Sequence, residues 1–317
     1  MPTIPTTLTP PAVRHSEREG LSIVVLSAGD VQAAFAPTAG MACCSLLHDG
    51  EELLGQNDGL RAYARTGATM GIPLLHPWAN RLPDWEYEAL GRRVDLRRTR
   101  PVVPSDPAGL PIHGLLPARF EVADVGAGPS AAWVTAATCH GIGDPMRFAA
   151  FPFTHRLRLD VELTAQRLRI TTTITGTATV PVATGFHPYL APPGARREDW
   201  RIELPVERRI VVDDQLLPTG ASEPLAPSAG PLGARVYDDG FTRLTGRPAT
   251  FAVEGGGRRL EVAFEEGYPF AQVYAPPDLD VVCFEPMTTP TAGLARGEHS
   301  VATAEIPHVA AFSVKIG

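Results

Sequence analysis

The chain has 317 residues, 44% of them hydrophobic and 20% charged, with a formal net charge of −7. That balance belongs to a folded globular protein and excludes a disordered chain. The acidic excess argues against nucleic acid or an anionic membrane surface as the main partner, and the absence of an apolar run of about 18 residues leaves no candidate membrane-spanning helix.

The first nine residues are rich in Pro and Thr and lack the charged start and apolar centre of a signal peptide. Residues 1–15 are expected to form a flexible tail, followed by a single domain over 16–317. Thereafter 32 prolines and 30 glycines punctuate the chain too closely for long helices. Period-two alternation begins at residues 22–25. Residues 87–96 read as a hairpin around Ala89-Leu90-Gly91-Arg92, with Arg92, Arg93, Arg97, Arg98 and Arg100 as its wet face. Leu157, Leu159, Val161 and Leu163 alternate with Arg158, Asp160 and Glu162. Past a turn at Gln166 and Arg167, Leu168, Ile170, Thr172 and Ile174 alternate in the same way. This predicts an antiparallel hairpin with one dry and one wet face. Residues 201–206, 208–212, 250–253, 258–264, 271–274 and 309–315 read as further strands. No helical periodicity persists over about 12 residues, and no glycine-rich phosphate loop follows a strand. The expected fold is all-β, one large antiparallel β-sandwich.

Cys43, Cys44, Cys139 and Cys283 make neither a disulfide framework nor a zinc site. Unpaired thiols fit a reducing cytoplasm.

Five places set ionisable residues among apolar or turn residues. Val281-Val282-Cys283-Phe284-Glu285-Pro286 puts a carboxylate at the end of a buried-strand pattern. Charged residues are rarely buried unpaired, so Glu285 stands either at a surface turn or in a site. Pro286 is expected to end the strand there. Ala183-Thr184-Gly185-Phe186-His187-Pro188-Tyr189 repeats that arrangement with His187. Arg81 follows the apolar stretch from Ile72 and offers a fork of donors to hydroxyls or carboxylates, or else bridges a surface loop. His113 precedes Gly114 and is either a site residue or a structural histidine. Asp238-Asp239-Gly240 has the composition of a turn. A His and a Glu far apart in sequence suit general acid–base catalysis, one giving a proton while the other takes one. No G-x-S-x-G nucleophile motif accompanies them, and His76, His113 and His187 lack the spacing of a helical metal motif.

The ordered set of motifs from about Gly40 to Leu294 resembles the aldose 1-epimerase (galactose mutarotase-like) family. Its members here are Gly71-Ile72-Pro73-Leu74-Leu75, Asn80-Arg81, His113-Gly114, Phe151-Pro152-Phe153, Gly185-Phe186-His187-Pro188-Tyr189, Leu216-Leu217-Pro218-Thr219-Gly220 and Cys283-Phe284-Glu285-Pro286. The resemblance implies the large galactose mutarotase-like supersandwich, with a sugar in an open cleft. It implies Glu285 as general base and His187 as general acid. His113 would bind near the ring oxygen, and Arg81, beside Asn80, would bind sugar hydroxyls. It places the binding carboxylate at Asp238, with Asp239 as competitor, and Gln272 and Tyr189 in the cleft lining. The implied activity is interconversion of the α and β anomers of an aldose, with no cofactor and no metal. The alternatives are a hexose-6-phosphate 1-epimerase and a non-catalytic sugar-binding protein on the same fold. A phosphate pocket would need further cations, for which Arg61 and Arg65 are candidates beside Arg81. Leu115 and Thr177 depart from the family pattern and bear on which sugar is taken. The expected partner is a small-molecule sugar, and the protein itself is expected to be a monomer or homodimer.

Overall fold

In the computed structural model, which describes residues 9–317, the alternation at 157–174 forms the paired strands His155–Leu163 and Arg167–Gly176. Leu157 faces Ile174, Val161 faces Ile170 and Leu163 faces Leu168, and these apolar positions are the buried ones. Arg167 opens the second strand rather than lying in the turn. Thr164 closes that turn, its N–H donating to Arg167 O at 2.9 Å and its Oγ1 accepting from Arg167 N at 3.1 Å.

These two strands belong to a nine-stranded antiparallel sheet. From one edge it runs Ser228–Pro231, Arg201–Leu204, Ala249–Gly255, Arg258–Glu266, His308–Ile316, Arg167–Gly176, His155–Leu163, Ala132–His140 and Glu121–Ala127. Facing it is an eight-stranded sheet in the order Pro218–Pro224, Val206–Val212, Tyr237–Leu244, Phe270–Ala275, Val282–Met287, Gly185–Phe186 and Leu74–Leu75, with Tyr189–Leu190 also paired to Val282–Met287. The core lies between them. Phe186 meets Phe312 at 4.9 Å between ring centroids and Phe284 meets Phe251 at 5.4 Å, each pair spanning the two sheets. A five-stranded sheet, from Ala12–Arg18 to Glu51–Glu52, adds Val24, Leu26, Phe35 and Leu46 to the same core.

Several sequence expectations change. The strand expected over 201–206 is two strands, parted at Pro205 and belonging to different sheets. Only Arg92 and Arg93 of the basic cluster lie on the hairpin Glu86–Ala89 and Arg92–Asp95. Arg97, Arg98 and Arg100 continue in the 3-10 segment Leu96–Val102, all of them exposed. Asp238-Asp239-Gly240 is strand, inside Tyr237–Leu244, because it pairs along Phe270–Ala275, Asp238 with Tyr274 and Gly240 with Gln272. Residues 1–8 of the expected tail lie outside the described residues, and residues 12–15 belong to the strand Ala12–Arg18, paired along Leu21–Ala28. Among the described residues no helix is long and apolar enough to cross a membrane.

Candidate active site

Alternation along Val282–Met287 divides its side chains. Val282 and Phe284 enter the core between the sheets, while Cys283, Glu285 and Met287 face the other side. Phe270–Ala275 does likewise, sending Ala271, Val273 and Ala275 inward and Gln272 and Tyr274 outward. The outer face therefore carries cross-strand rows. One runs Asp238–Tyr274–Cys283–Tyr189 and the next Gly240–Gln272–Glu285.

His187 completes the second row. Gly185 pairs with Met287 and Tyr189 with Cys283, so His187, midway between, stands opposite Glu285. Its N–H turns the other way, to Pro73 O at 3.2 Å. His187 and Glu285 thus form a non-hydrogen-bonded pair, the kind in which facing side chains come closest. The flanking ladder positions would match Phe186 with Pro286 and Pro188 with Phe284, and each contains a proline with no N–H to give. Pro286 does not end the strand, which continues to Met287. The two prolines instead open the seam around the His–Glu pair.

His187 Nε2 lies 3.3 Å from Glu285 Oε1, and their side chains are 6% and 2% exposed. The His187 ring stacks on Tyr189 at 4.4 Å and meets His113 edge-on at 5.4 Å. Tyr189 is fixed by a 2.7 Å hydrogen bond between its hydroxyl and Thr69 Oγ1. Two laced segments close the other side. His113 N donates to Asn80 O at 3.0 Å and Leu82 N to Pro111 O at 2.9 Å. Asn80 and His113 hold φ of 57° and 61°, a left-handed backbone that non-glycine residues adopt mostly where surroundings enforce it, often at functional sites. Gly114, at φ 78°, has no alternative, since a Cβ there would stand 2.2 Å from His76 O.

Arg81 lies across the cleft. Its Nε donates to Asp106 Oδ2 at 2.8 Å, its Nη1 to Asn80 Oδ1 at 3.3 Å and its Nη2 to Asp238 Oδ2 at 3.4 Å. Gln272 Nε2 donates to Asp238 Oδ1 at 2.7 Å. Together these groups enclose a cavity of about 250 Å³ lined by Thr69, Asn80, Arg81, Asp106, His113, His187, Tyr189, Asp238, Tyr274 and Glu285, with Pro107 and Ile112. It is smaller than the roughly 300–1,000 Å³ of sites for drug-sized ligands.

Burial is the main electrostatic influence. It pushes the Glu285 carboxyl well above its usual range, reinforced by the Asp238 charge and opposed by Arg81. It pulls the His187 imidazole well below its usual value, with His113 adding to the effect. His113 is drawn from 6.5 to about 3 by burial and by Arg81. Both members of the pair resist charge, and moving the Glu285 proton to His187 makes an ion pair without changing the proton count. Among the described residues, Glu285 Oε2, His187 Nδ1 and His113 Nδ1 are buried without a hydrogen-bond partner.

Of the sequence-selected residues, Glu285, His187, His113, Arg81, Asn80, Asp238 and Tyr189 converge on this cavity. Gln272 stands behind Asp238 and orients it. Asp239, one residue on, turns to the opposite face and pairs with Arg209 at 3.4 Å. Arg61 and Arg65 lie on the helix Leu60–Thr66 and do not line the cavity, Arg61 being taken up by Glu19. Leu115 packs in the Trp78 cluster and Thr177 bonds Thr154 O at 3.1 Å, both outside the lining. His76 is elsewhere too. Its Nε2 meets His155 Nε2 at 2.8 Å, and His140 stacks on His155 at 5.0 Å. Sequence reading missed Asp106, Tyr274 and Thr69. Asp106 sits in Ser105-Asp106-Pro107-Ala108-Gly109, which signals a turn but not its direction.

A large two-sheet antiparallel sandwich with a polar cleft on the outer face of one sheet is the architecture of galactose mutarotase-like proteins, and solved structures share it across the chain. A galactose mutarotase-like protein from Clostridium acetobutylicum superposes with a TM-score of 0.82 at 17% identity, covering 97% of this chain and 99% of its own. A galactose 1-epimerase from Lactobacillus acidophilus gives 0.77 at 16%, covering 98% and 99%. A galactose mutarotase-like protein from Lactobacillus casei gives 0.68 at 17%, covering 96% and 100%. The aldose 1-epimerase family model matches residues 22–304, and the chain belongs to that family. No curated protein sequence matches it.

Proposed function

We propose that the protein is an aldose 1-epimerase, interconverting the α and β anomers of an aldose by ring opening and reclosure. The observation that carries this reading is the buried His187–Glu285 pair, 3.3 Å apart on the cavity wall. A sugar binder needs hydroxyl contacts but no matched acid and base.

A pyranose entering the cleft presents its anomeric hydroxyl and ring oxygen to the two groups, which lie side by side on the wall. In the reactive form of the pair Glu285 is the carboxylate and His187 the imidazolium, the one-proton state reached by internal transfer. Glu285 takes the proton of the anomeric hydroxyl as the C1–O5 bond breaks, and His187 gives its proton to the ring oxygen. The open-chain aldehyde turns about C1–C2. On closure O5 attacks the other face of C1, the carbonyl oxygen takes the proton from Glu285, and the O5 proton returns to His187. Protons and electrons balance within the pair and the sugar, so the cycle draws on no redox group. Each positioned transfer is worth roughly 10²–10⁴-fold. Arg81, Asp238 and Asn80 hold ring hydroxyls, and His113 lies beside His187 near the ring oxygen. Four unpaired cysteines, three of them buried, fit a cytoplasmic setting.

Polarimetry of freshly dissolved α-D-glucose and α-D-galactose, with and without the protein, tests the reading. Accelerated decay of rotation supports it. Sugar binding by calorimetry with no rate effect on either sugar would replace it with a binding role.

A further inference from the structure

Among the described residues the cavity lining holds one permanent cation, Arg81, against Asp106 and Asp238, before Glu285 is counted. Asp106 is the more enclosed of the two, 5% exposed at its side chain against 28% for Asp238. Its loop is folded around the carboxylate. Oδ1 accepts from Leu110 N at 2.9 Å, Asp106 N donates to Leu110 O at 2.9 Å, and Gly109 N donates to Asp106 O at 2.9 Å. Oδ2 is thereby presented to Arg81 Nε at 2.8 Å. A guanidinium has five N–H groups. Those on Nε, one on Nη1 and one on Nη2 are committed to Asp106, Asn80 and Asp238, which leaves one N–H on each terminal nitrogen. That is a two-pronged donor with its charge already cancelled.

We propose that Asp106 is a specificity-determining residue: it neutralises Arg81 within the cleft, so that the site takes an unphosphorylated aldose through a pair of hydroxyls and rejects sugar phosphates. This rests on the epimerase reading above and narrows its substrate class. A phosphate ester placed here would meet two carboxylates for one cation, and like charge at close quarters is strongly disfavoured. With Asp106 uncharged, one carboxylate and one cation remain.

The test compares kcat/KM for α-D-glucose and α-D-glucose 6-phosphate in wild type, Asp106→Asn and Asp106→Glu, with a thermal melt of each to establish folding. Asn keeps the shape and the acceptor for Leu110 N. Wild type should favour glucose. Asp106→Asn should shift the ratio toward the phosphate by about tenfold or more, while Asp106→Glu, which keeps the charge, should hold the wild-type ratio even if both rates fall. An equal fall on both sugars in Asp106→Asn would mark a merely structural role and overturn the proposal, as would a wild-type preference for the phosphate, which decides the matter even if Asp106→Asn does not fold. If wild type accelerates neither sugar, the epimerase reading fails, and calorimetry with inorganic phosphate still tests the charge argument. Asp106→Asn should then bind phosphate more tightly than wild type, and unchanged binding overturns it.

Discussion

Acid should unfold this protein through a cluster outside the cleft. Burial draws His140 and His155 from 6.5 down to about 4, and takes His76 well below its usual value. The hydrogen bonds explain why a second proton has no place. His155 Nδ1 lies 2.7 Å from Phe153 O, and a carbonyl only accepts, so Nδ1 carries the proton and Nε2 accepts from His76. A proton on His155 Nε2 would confront the His76 N–H. Arg147 repels further charge on His140 and His76, and Asp144 only partly offsets it at His140. In the unfolded chain His140 and His155 protonate near pH 6.5, and in the folded protein only near 4. Between those values the folded state binds fewer protons, so stability falls as pH falls. At about 1.4 kcal/mol per pH unit, His140 and His155 each remove about 3 kcal/mol, against a typical total of about 5–15 kcal/mol. Glu285 tilts the other way, because its raised carboxyl takes up a proton more readily folded than unfolded. Comparing two proteins that both retain it removes that contribution. Urea unfolding from pH 6.5 to 4 should therefore show a steep loss of stability in wild type. In His155→Gln, whose amide can still bond Phe153 O, the slope should be shallower by about 1.4 kcal/mol per pH unit. A flat wild-type profile, or equal slopes in the two proteins, would refute the neutral buried cluster.

Three further outcomes are expected. Glu285→Gln should lower kcat by roughly 10²–10⁴-fold in polarimetry, yet leave the calorimetric melting temperature at neutral pH unchanged or higher, because the unfolded chain ionises a carboxyl that burial resists; a clear fall in melting temperature would contradict this. Arg81→Ala strands Asp106 in a nearly closed environment and should destabilise by about 3–5 kcal/mol in urea, with Arg81→Ala/Asp106→Asn recovering part of the loss; equal stability of the single and double variants would count against it. Gly114→Ala forces a Cβ toward His76 O at positive φ and should cost about 1–3 kcal/mol in backbone strain alone; an unchanged urea midpoint would show that the turn can relax.

The sequence displayed alternation and chemistry, but not adjacency. Leu157 to Ile174 disclosed their hairpin because a half-buried strand writes its period into composition. Glu285-Pro286 and His187-Pro188 were recognisable as repeated dipeptides, whereas their pairing across one seam depends on a register set by strands far apart in the chain. Pro286 reads as a terminator, yet a proline inside a sheet is tolerated where the ladder beside it is open, and the segment that meets it, around Phe186 and Pro188, lies about a hundred residues away. Asp238-Asp239-Gly240 has turn composition, and its pairing along Phe270–Ala275 overrides it. Once that strand is placed, alternation alone sends Asp238 to the cleft and Asp239 away. Asp106 left no usable trace, since a carboxylate in a turn is ordinary until an arginine from another loop is seen against it. His76 was grouped with His113 and His187 by residue type, but its ring turns to His140 and His155.

The row from Gly240 through Gln272 and Glu285 to His187 has a further consequence. Strands lie about 4.8 Å apart and side chains change face at every residue. Glu285 and His187 therefore occupy points of a lattice. A one-residue slip of Val282–Met287 would put Phe284 in the cleft and drive the carboxylate into the core, so no intermediate placement is open to variation. Divergence in this scaffold can swap the side chain at a lattice point, but fine adjustment of distance falls to the parts that are off the lattice, above all the 104–110 loop and the Asn80 and His113 turns. Sequence change that retunes the cleft should collect in those segments, while the sheet keeps Glu285 and His187 at a fixed separation.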